Sequence, residues 1–197
     1  MKELHHNYHS GNRTLQDSFN SRRLADRVNE VIVHDRFTDE DKALIESRDM
    51  FFISTVDDEG RPTVSYKGGA VGFIRVVDDQ TLAYPGYDGN GMFLTSGNIL
   101  KYPDVGLLFI DFENPRRLRM HGTATVDLQD PLLADYVDAK YIIRIRVRNL
   151  FINCPRYIHQ YRKIEDSEYL PKVGVSAPVP GWKKLEIVQD VLPENVS

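Results

Sequence analysis

This chain has almost none of the features that staple a protein together or anchor it from outside its core. It has a single cysteine, Cys154, in 197 residues. No internal disulfide can form, and a reducing compartment is the expectation. No apolar run approaches ~20 residues, so no membrane span is expected. The opening Met1-Lys-Glu-Leu-His-His-Asn-Tyr-His9 has no apolar signal core. Together these absences make the cytoplasm the expected location. Positive charge is not in excess either: 25 Lys and Arg stand against 29 Asp and Glu, a net charge of −4. That balance argues against nucleic-acid binding by charge alone. The sequence holds no Ser-His-Asp arrangement, no dinucleotide fingerprint and no Walker-type Gly-Lys-Ser/Thr. His5, His6 and His9 lack Cys or carboxylate partners at ligand spacing, so they read as part of a solvated arm and no metal is expected.

What is present is a soluble composition, 41% apolar and 27% charged, with enough length for one core. Residues 50–126 read as six short strands in antiparallel succession. Met50-Phe-Phe-Ile-Ser-Thr-Val56 is an apolar, β-branched run. Asp57-Asp-Glu-Gly60 turns it, and Arg61-Pro-Thr-Val-Ser-Tyr-Lys67 leads back. Residues 71–77 and 80–84 continue the pattern. A glycine-rich break, Tyr84-Pro-Gly-Tyr-Asp-Gly-Asn-Gly91, precedes a helix expected over 92–102. Residues 104–112 are apolar enough to suggest a strand buried on both faces. In the strand after it, Leu118 and Met120 alternate with Arg117, Arg119 and His121.

Around this run the spacing of apolar residues places helices at 21–34, after Thr38, over 130–140 and from 153 to 159. A seventh strand is expected over 141–151, with Ile143, Ile145 and Val147 opposite Arg144, Arg146 and Arg148. Residues 1–20 read as an arm, 21–165 as the domain and 166–197 as a Pro-rich tail. Trp182, Leu185 and Ile187 would tack that tail onto the body or a second subunit. The fold class is mainly β: a six- to seven-stranded antiparallel barrel with peripheral helices. A sandwich is the open alternative.

Several groups have the chemistry of an anion site. Thr63, Ser65 and Lys67 share one face of the second strand, opposite Val64 and Tyr66, so a hydroxyl and an ammonium stand side by side. The glycine-rich break offers backbone N–H groups, with Asn90 before the helix and Ser96 and Asn98 on it. Arg117 and Arg119 share a strand face, and guanidinium suits phosphate. Against a ligand role stands pairing with Asp111 or Glu113. Tyr66, Tyr84 and Cys154 are candidate proton donors, and no catalytic residue is assigned.

Taken in order, Phe52-Ile-Ser-Thr-Val56, Asp58-Glu-Gly-Arg-Pro62, Lys67-Gly-Gly69, Tyr87-Asp-Gly-Asn90, Thr95-Ser-Gly-Asn98, Arg116-Arg-Leu-Arg119 and Phe151-Ile-Asn-Cys-Pro-Arg-Tyr157 resemble the pyridoxamine 5′-phosphate oxidase-like FMN-binding split barrels. The likeness is to their probable FMN-dependent branch and spans residues 11–160. It implies a homodimer with FMN at the subunit interface. The cofactor-binding set would be Ser65, Tyr66, Lys67, Tyr84, Asn90, Ser96, Asn98 and Arg117. The function implied is an FMN-dependent oxidoreductase acting on a small organic substrate. A flavin store or sensor without turnover, and a barrel using haem or a deazaflavin, are the alternatives. One departure matters: where the oxidase proper carries a Ser-Arg-Lys run, this chain has Asp88-Gly89-Asn90. Vitamin B6 oxidation is therefore not expected.

Overall fold

The computed structural model describes residues 7–193. His5 and His6, read above as part of a solvated arm, lie outside them. The chain divides after Arg162 into two compact units. The first carries seven strands: β1 Met50–Val56, β2 Pro62–Gly68, β3 Arg75–Val76, β4 Thr81–Gly86, β5 Asp104–Asp111, β6 Arg116–Asp127 and β7 Tyr141–Asn153. All paired strands are antiparallel, in the order β2-β1-β5-β6-β7-β4-β3.

The sheet curls around an inner face that is largely apolar. Phe51 and Ile53 of β1, Leu107 and Phe109 of β5, Leu118 and Met120 of β6, and Ile143 and Ile145 of β7 are buried. Phe51 meets Tyr84 edge-on at 5.0 Å, although three strands separate β1 from β4 in the sheet order. Phe73 and Phe109 stack on the same Phe51 ring at 6.0 and 5.4 Å. Aromatic pairs at such separations each contribute ~0.5–1.5 kcal/mol beyond their buried area. The result is a mainly β split barrel.

Four helices decorate this unit: α1 Ser10–Ser18, α2 Arg22–Ile32, α3 Asp39–Glu46 and α4 Leu94–Lys101. Thr38 caps α3 reciprocally with Asp41, as its sequence suggests. α1 lies inside what reads as an arm; His9 caps it through Nδ1. Asn7 then links this hairpin to the barrel. Its Nδ2 donates to Asn29 of α2, and its Oδ1 accepts from Asn149 of β7, both at 2.9 Å. In the second unit, a 3-10 turn over Gly181–Lys184 leads into α5, Glu186–Gln189. Trp182, Leu185 and Ile187 there are exposed.

Four expectations need correction. Residues 71–77 form a turn and the two-residue β3, because Gly72 takes φ +85° and Phe73 and Ile74 both turn inward. β5 is buried on one face only, alternating along its length. Residues 130–140 hold a 3-10 turn, Pro131–Asp135, with the left-handed Asp138 (φ 57°) soon after. No helix begins at Asn153, which pairs with Arg117 as the last residue of β7. Cys154 is therefore exposed and not at a helix N-terminus. No described helix is long and apolar enough to cross a membrane.

Candidate anion-binding site

The glycine-rich break turns the chain from β4 into α4, and two of its glycines are required by geometry. Gly91 sits at φ +76°, a conformation L side chains rarely take. Gly86 lies against the ring of Tyr141, where any Cβ would overlap it. Asn90 closes a local turn, its Oδ1 accepting from the Met92 N–H at 3.1 Å. Phe93 then adopts a left-handed conformation, φ 49° and ψ 29°, immediately before the helix. A bulky residue held there signals backbone strain.

Three side-chain hydrogen bonds fix α4. Thr95 Oγ1 donates to Ser65 Oγ of β2 at 2.9 Å, and Asn98 Nδ2 donates to Thr55 Oγ1 of β1 at 3.0 Å. Ser96 Oγ and the Tyr141 hydroxyl of β7 are hydrogen-bonded at 2.7 Å, either able to donate. The first two bonds orient the helix. Thr55 pairs with Thr63 in the β1–β2 ladder, so α4 runs from Ser65 toward Thr63. Its N-terminus consequently points toward the Lys67 end of β2.

That N-terminus has no side-chain cap. Its first N–H groups lack helical partners and carry the positive end of the helix dipole. Lys67 stands two residues beyond Ser65 on the same face of β2. It is half-buried and makes no hydrogen bond or ion pair among the described residues. Burial holds its ammonium pKa below the ordinary lysine value. Lys67 is thus an unpaired, partly desolvated cation, among the described residues, at the end of β2 toward which an uncapped helix N-terminus points.

Of the residues singled out in the sequence, Ser65, Lys67, Ser96 and Asn98 gather around α4. Asn90 is exposed in the preceding loop. Tyr84 lies inside the barrel; its buried hydroxyl has no hydrogen-bond partner among the described residues, and burial pushes its pKa far above the ordinary tyrosine value. Tyr66 projects from the opposite face of β2 and packs on Phe52 at 6.1 Å. Arg117 is on the outer face of β6, where its Nη2 donates to the Cys154 carbonyl at 3.0 Å. The expected alternative for Arg117, pairing with Asp111, is not formed: Asp111 pairs with Arg48 at 3.2 Å. Sequence reasoning missed Thr55, Thr95 and Tyr141, the hydroxyls that hold α4. Thr95 adjoins Ser96 and was within reach. Nothing local couples Thr55 to Asn98, 43 residues away.

A curled antiparallel sheet with helices at its edges defines a mainly β split barrel. The family model described as pyridoxamine 5′-phosphate oxidase matches residues 37–168, well over half of the chain. The protein belongs to this flavin-binding family. Among solved structures it is similar to a candidate pyridoxamine 5′-phosphate oxidase from Lactobacillus delbrueckii: 23% identity, 60% of this chain and 95% of that one, TM-score 0.50. It is also similar to HupZ of Group A Streptococcus, with 24% identity, 59% and 93% coverage and a TM-score of 0.49. An FMN-binding protein from Syntrophomonas wolfei shares 13% identity over 71% of this chain and 97% of that one, TM-score 0.46. No curated protein matches the chain.

Proposed function

We infer that this protein binds FMN noncovalently and acts as an FMN-dependent oxidoreductase on a small organic substrate. The observation that carries the reading is the bond from Thr95, in the first turn of the uncapped α4, to Ser65, two residues before Lys67 on the same face of β2. Family membership supplies the flavin; the donor set favours its phosphorylated form. The first-turn N–H groups of α4, the Lys67 ammonium and the Ser65 hydroxyl would hold the phosphate. This cradle supplies, from β2 and a helix start, the positive charge absent from Asp88-Gly89-Asn90. When bound, the flavin supplies hydride or electron transfer, while the chain positions it and tunes it by hydrogen bonding.

Arg117 is on the other face of the sheet from this cradle, so one chain does not bring the two together. We assign Arg117 to the flavin of a second copy, in a homodimer with two sites. The test is fluorescence titration of the purified protein with FMN, riboflavin and haem. FMN bound at least about tenfold more tightly than riboflavin is expected, since one charge-assisted contact contributes ~1.5–3 kcal/mol. Equal affinity for both flavins would remove the phosphate from the account. Haem uptake without flavin uptake would overturn the reading. Turnover is tested separately, by NAD(P)H oxidation with candidate acceptors.

A further inference from the structure

Asn90-Gly91, in the break between β4 and α4, is the one Asn-Gly step in the sequence. At such a step the backbone nitrogen of the glycine can attack the side-chain amide before it, because glycine carries no side chain to block the approach. The other asparagines precede larger residues, and several are held in place. Asn29 and Asn149 are buried, Asn98 lies in α4, and Asn114 precedes Pro115, which has no N–H to lose.

The loop is arranged for this attack. Residues 87–93 belong to no helix or strand, and Asn90 is exposed. The Gly91 N–H makes no hydrogen bond among the described residues, so the nucleophile is unengaged. The Met92 N–H donates to Asn90 Oδ1 at 3.1 Å. The ring closed by that bond contains both Asn90 Cγ and the Gly91 nitrogen. It also sets a donor on the oxygen that gains negative charge as the amide carbon becomes tetrahedral. The leaving nitrogen is lightly held: Asn90 Nδ2 donates to the Met92 thioether at 3.3 Å, a weak acceptor. Nothing lies within 4 Å of where a Cβ would stand on Gly89 or Gly91, so water reaches the loop.

We propose that Asn90-Gly91 is a spontaneous deamidation site that erodes the anion site beside it. The Gly91 nitrogen bonds to Asn90 Cγ as the Cγ–Nδ2 bond breaks. Solvent base takes the Gly91 proton, and the amide nitrogen leaves as ammonia with a proton from water. The five-membered imide then takes up one water. Opening at Cγ gives aspartate. Opening at the main-chain carbonyl gives isoaspartate, whose backbone gains a methylene. Either product sets a carboxylate four residues ahead of Leu94, the first residue of the uncapped α4. That carboxylate competes for the positive helix end that the phosphate would use. The methylene also lengthens a turn set by Gly91 at φ +76° and Phe93 at φ 49°. The erosion rests on the phosphate reading above; the deamidation does not.

The experiment ages the full chain in warm, mildly alkaline buffer and follows it by peptide mapping with mass spectrometry. The peptide holding Asn90 should gain the mass of an amide-to-acid exchange. It should split into aspartate and isoaspartate species before any other asparagine peptide changes. Asn90→Gln, which needs a larger ring, should remove both species. The folded chain should react at least as fast as the same chain in urea. A folded rate well below the unfolded one would mean that the loop protects the amide and would overturn the proposal, as would an unchanged Asn90 peptide. The aged protein and Asn90→Asp should both bind FMN about threefold or more weakly, with riboflavin unaffected. Unchanged FMN affinity in a fully deamidated sample would overturn the erosion. Fresh protein that binds no FMN would overturn the phosphate reading and the erosion with it, while the deamidation is still read from the mass.

Discussion

Replacing Lys67 with Met keeps the aliphatic stem and removes the charge, so it isolates the ammonium's part in phosphate binding. A hydrogen bond to a charged partner contributes ~1.5–3 kcal/mol net. At about 1.4 kcal/mol per decade, FMN should bind about 10- to 150-fold more weakly. Coulomb attraction at ~4 Å and an effective dielectric of ~20 would be about 4 kcal/mol per unit charge, so the net figure leaves room for residual solvation. Riboflavin lacks the phosphate and should lose less than about twofold, which the same fluorescence titration reads. Equal losses for both ligands would indicate structural damage, and no loss for either would refute the phosphate assignment. The free protein gives a second readout. Burial lowers the Lys67 pKa from 10.5, so the unfolded chain holds its proton to higher pH than the folded one. Stability of the ligand-free protein should therefore rise as pH climbs from the folded value toward 10.5, and Lys67→Met should remove that rise.

Three further outcomes test the frame around the site. Thr38→Ala removes the α3 cap, whose side chain accepts from the Asp41 N–H at 3.2 Å; a loss of ~1 kcal/mol, or ~2–4 °C in Tm, is expected by calorimetry. Gly86→Ala should displace the Tyr141 ring, costing ~1–3 kcal/mol and weakening FMN binding in titration as α4 loses its Ser96 tether. Arg144→Met strips the buried Asp130 of its two guanidinium bonds at 2.5 and 2.9 Å, and ~1–3 kcal/mol should be lost near neutral pH. The bonds from Arg144 hold the Asp130 carboxyl below its ordinary 3.8. Their contribution is full above that value and fades as pH falls through the lower folded one. The variant's urea-unfolding midpoint should therefore converge with the wild type's in acid.

The sequence exposed strands most clearly where local chemistry and tertiary need agree. Met50–Val56 is β-branched, ends in a turn and buries alternate residues, so period and propensity point the same way. The same alternation placed Ser65 and Lys67 on one face. It was the failure of alternation that misled at residues 71–77, where Phe73 and Ile74 both enter the core from a turn. The helix expected at Asn153 looked well capped, yet the ladder with β6 claims that residue. Propensity at a cap is worth about a kilocalorie, and a strand pairing outweighs it. The site was half legible. Its donors were readable as residue types, but not the separation of Arg117 and Tyr66 from Lys67, because a strand's two faces become the inside and outside of a barrel only once it curls. The outward-facing apolar stripe of α2 was hidden for a related reason. Leu24, Val28, Val31 and Ile32 read as an ordinary core-facing stripe, and only the buried Asn29 shows which way the helix is turned.

The central claim is that this barrel carries FMN, and the most direct measurement is the visible absorbance of freshly purified protein, followed by chromatography of whatever heat releases. An oxidised-flavin spectrum with FMN in the supernatant is the result the account requires. A colourless protein that also takes up no added FMN would contradict it and would leave the Lys67 and α4 arrangement as a site for some other anion.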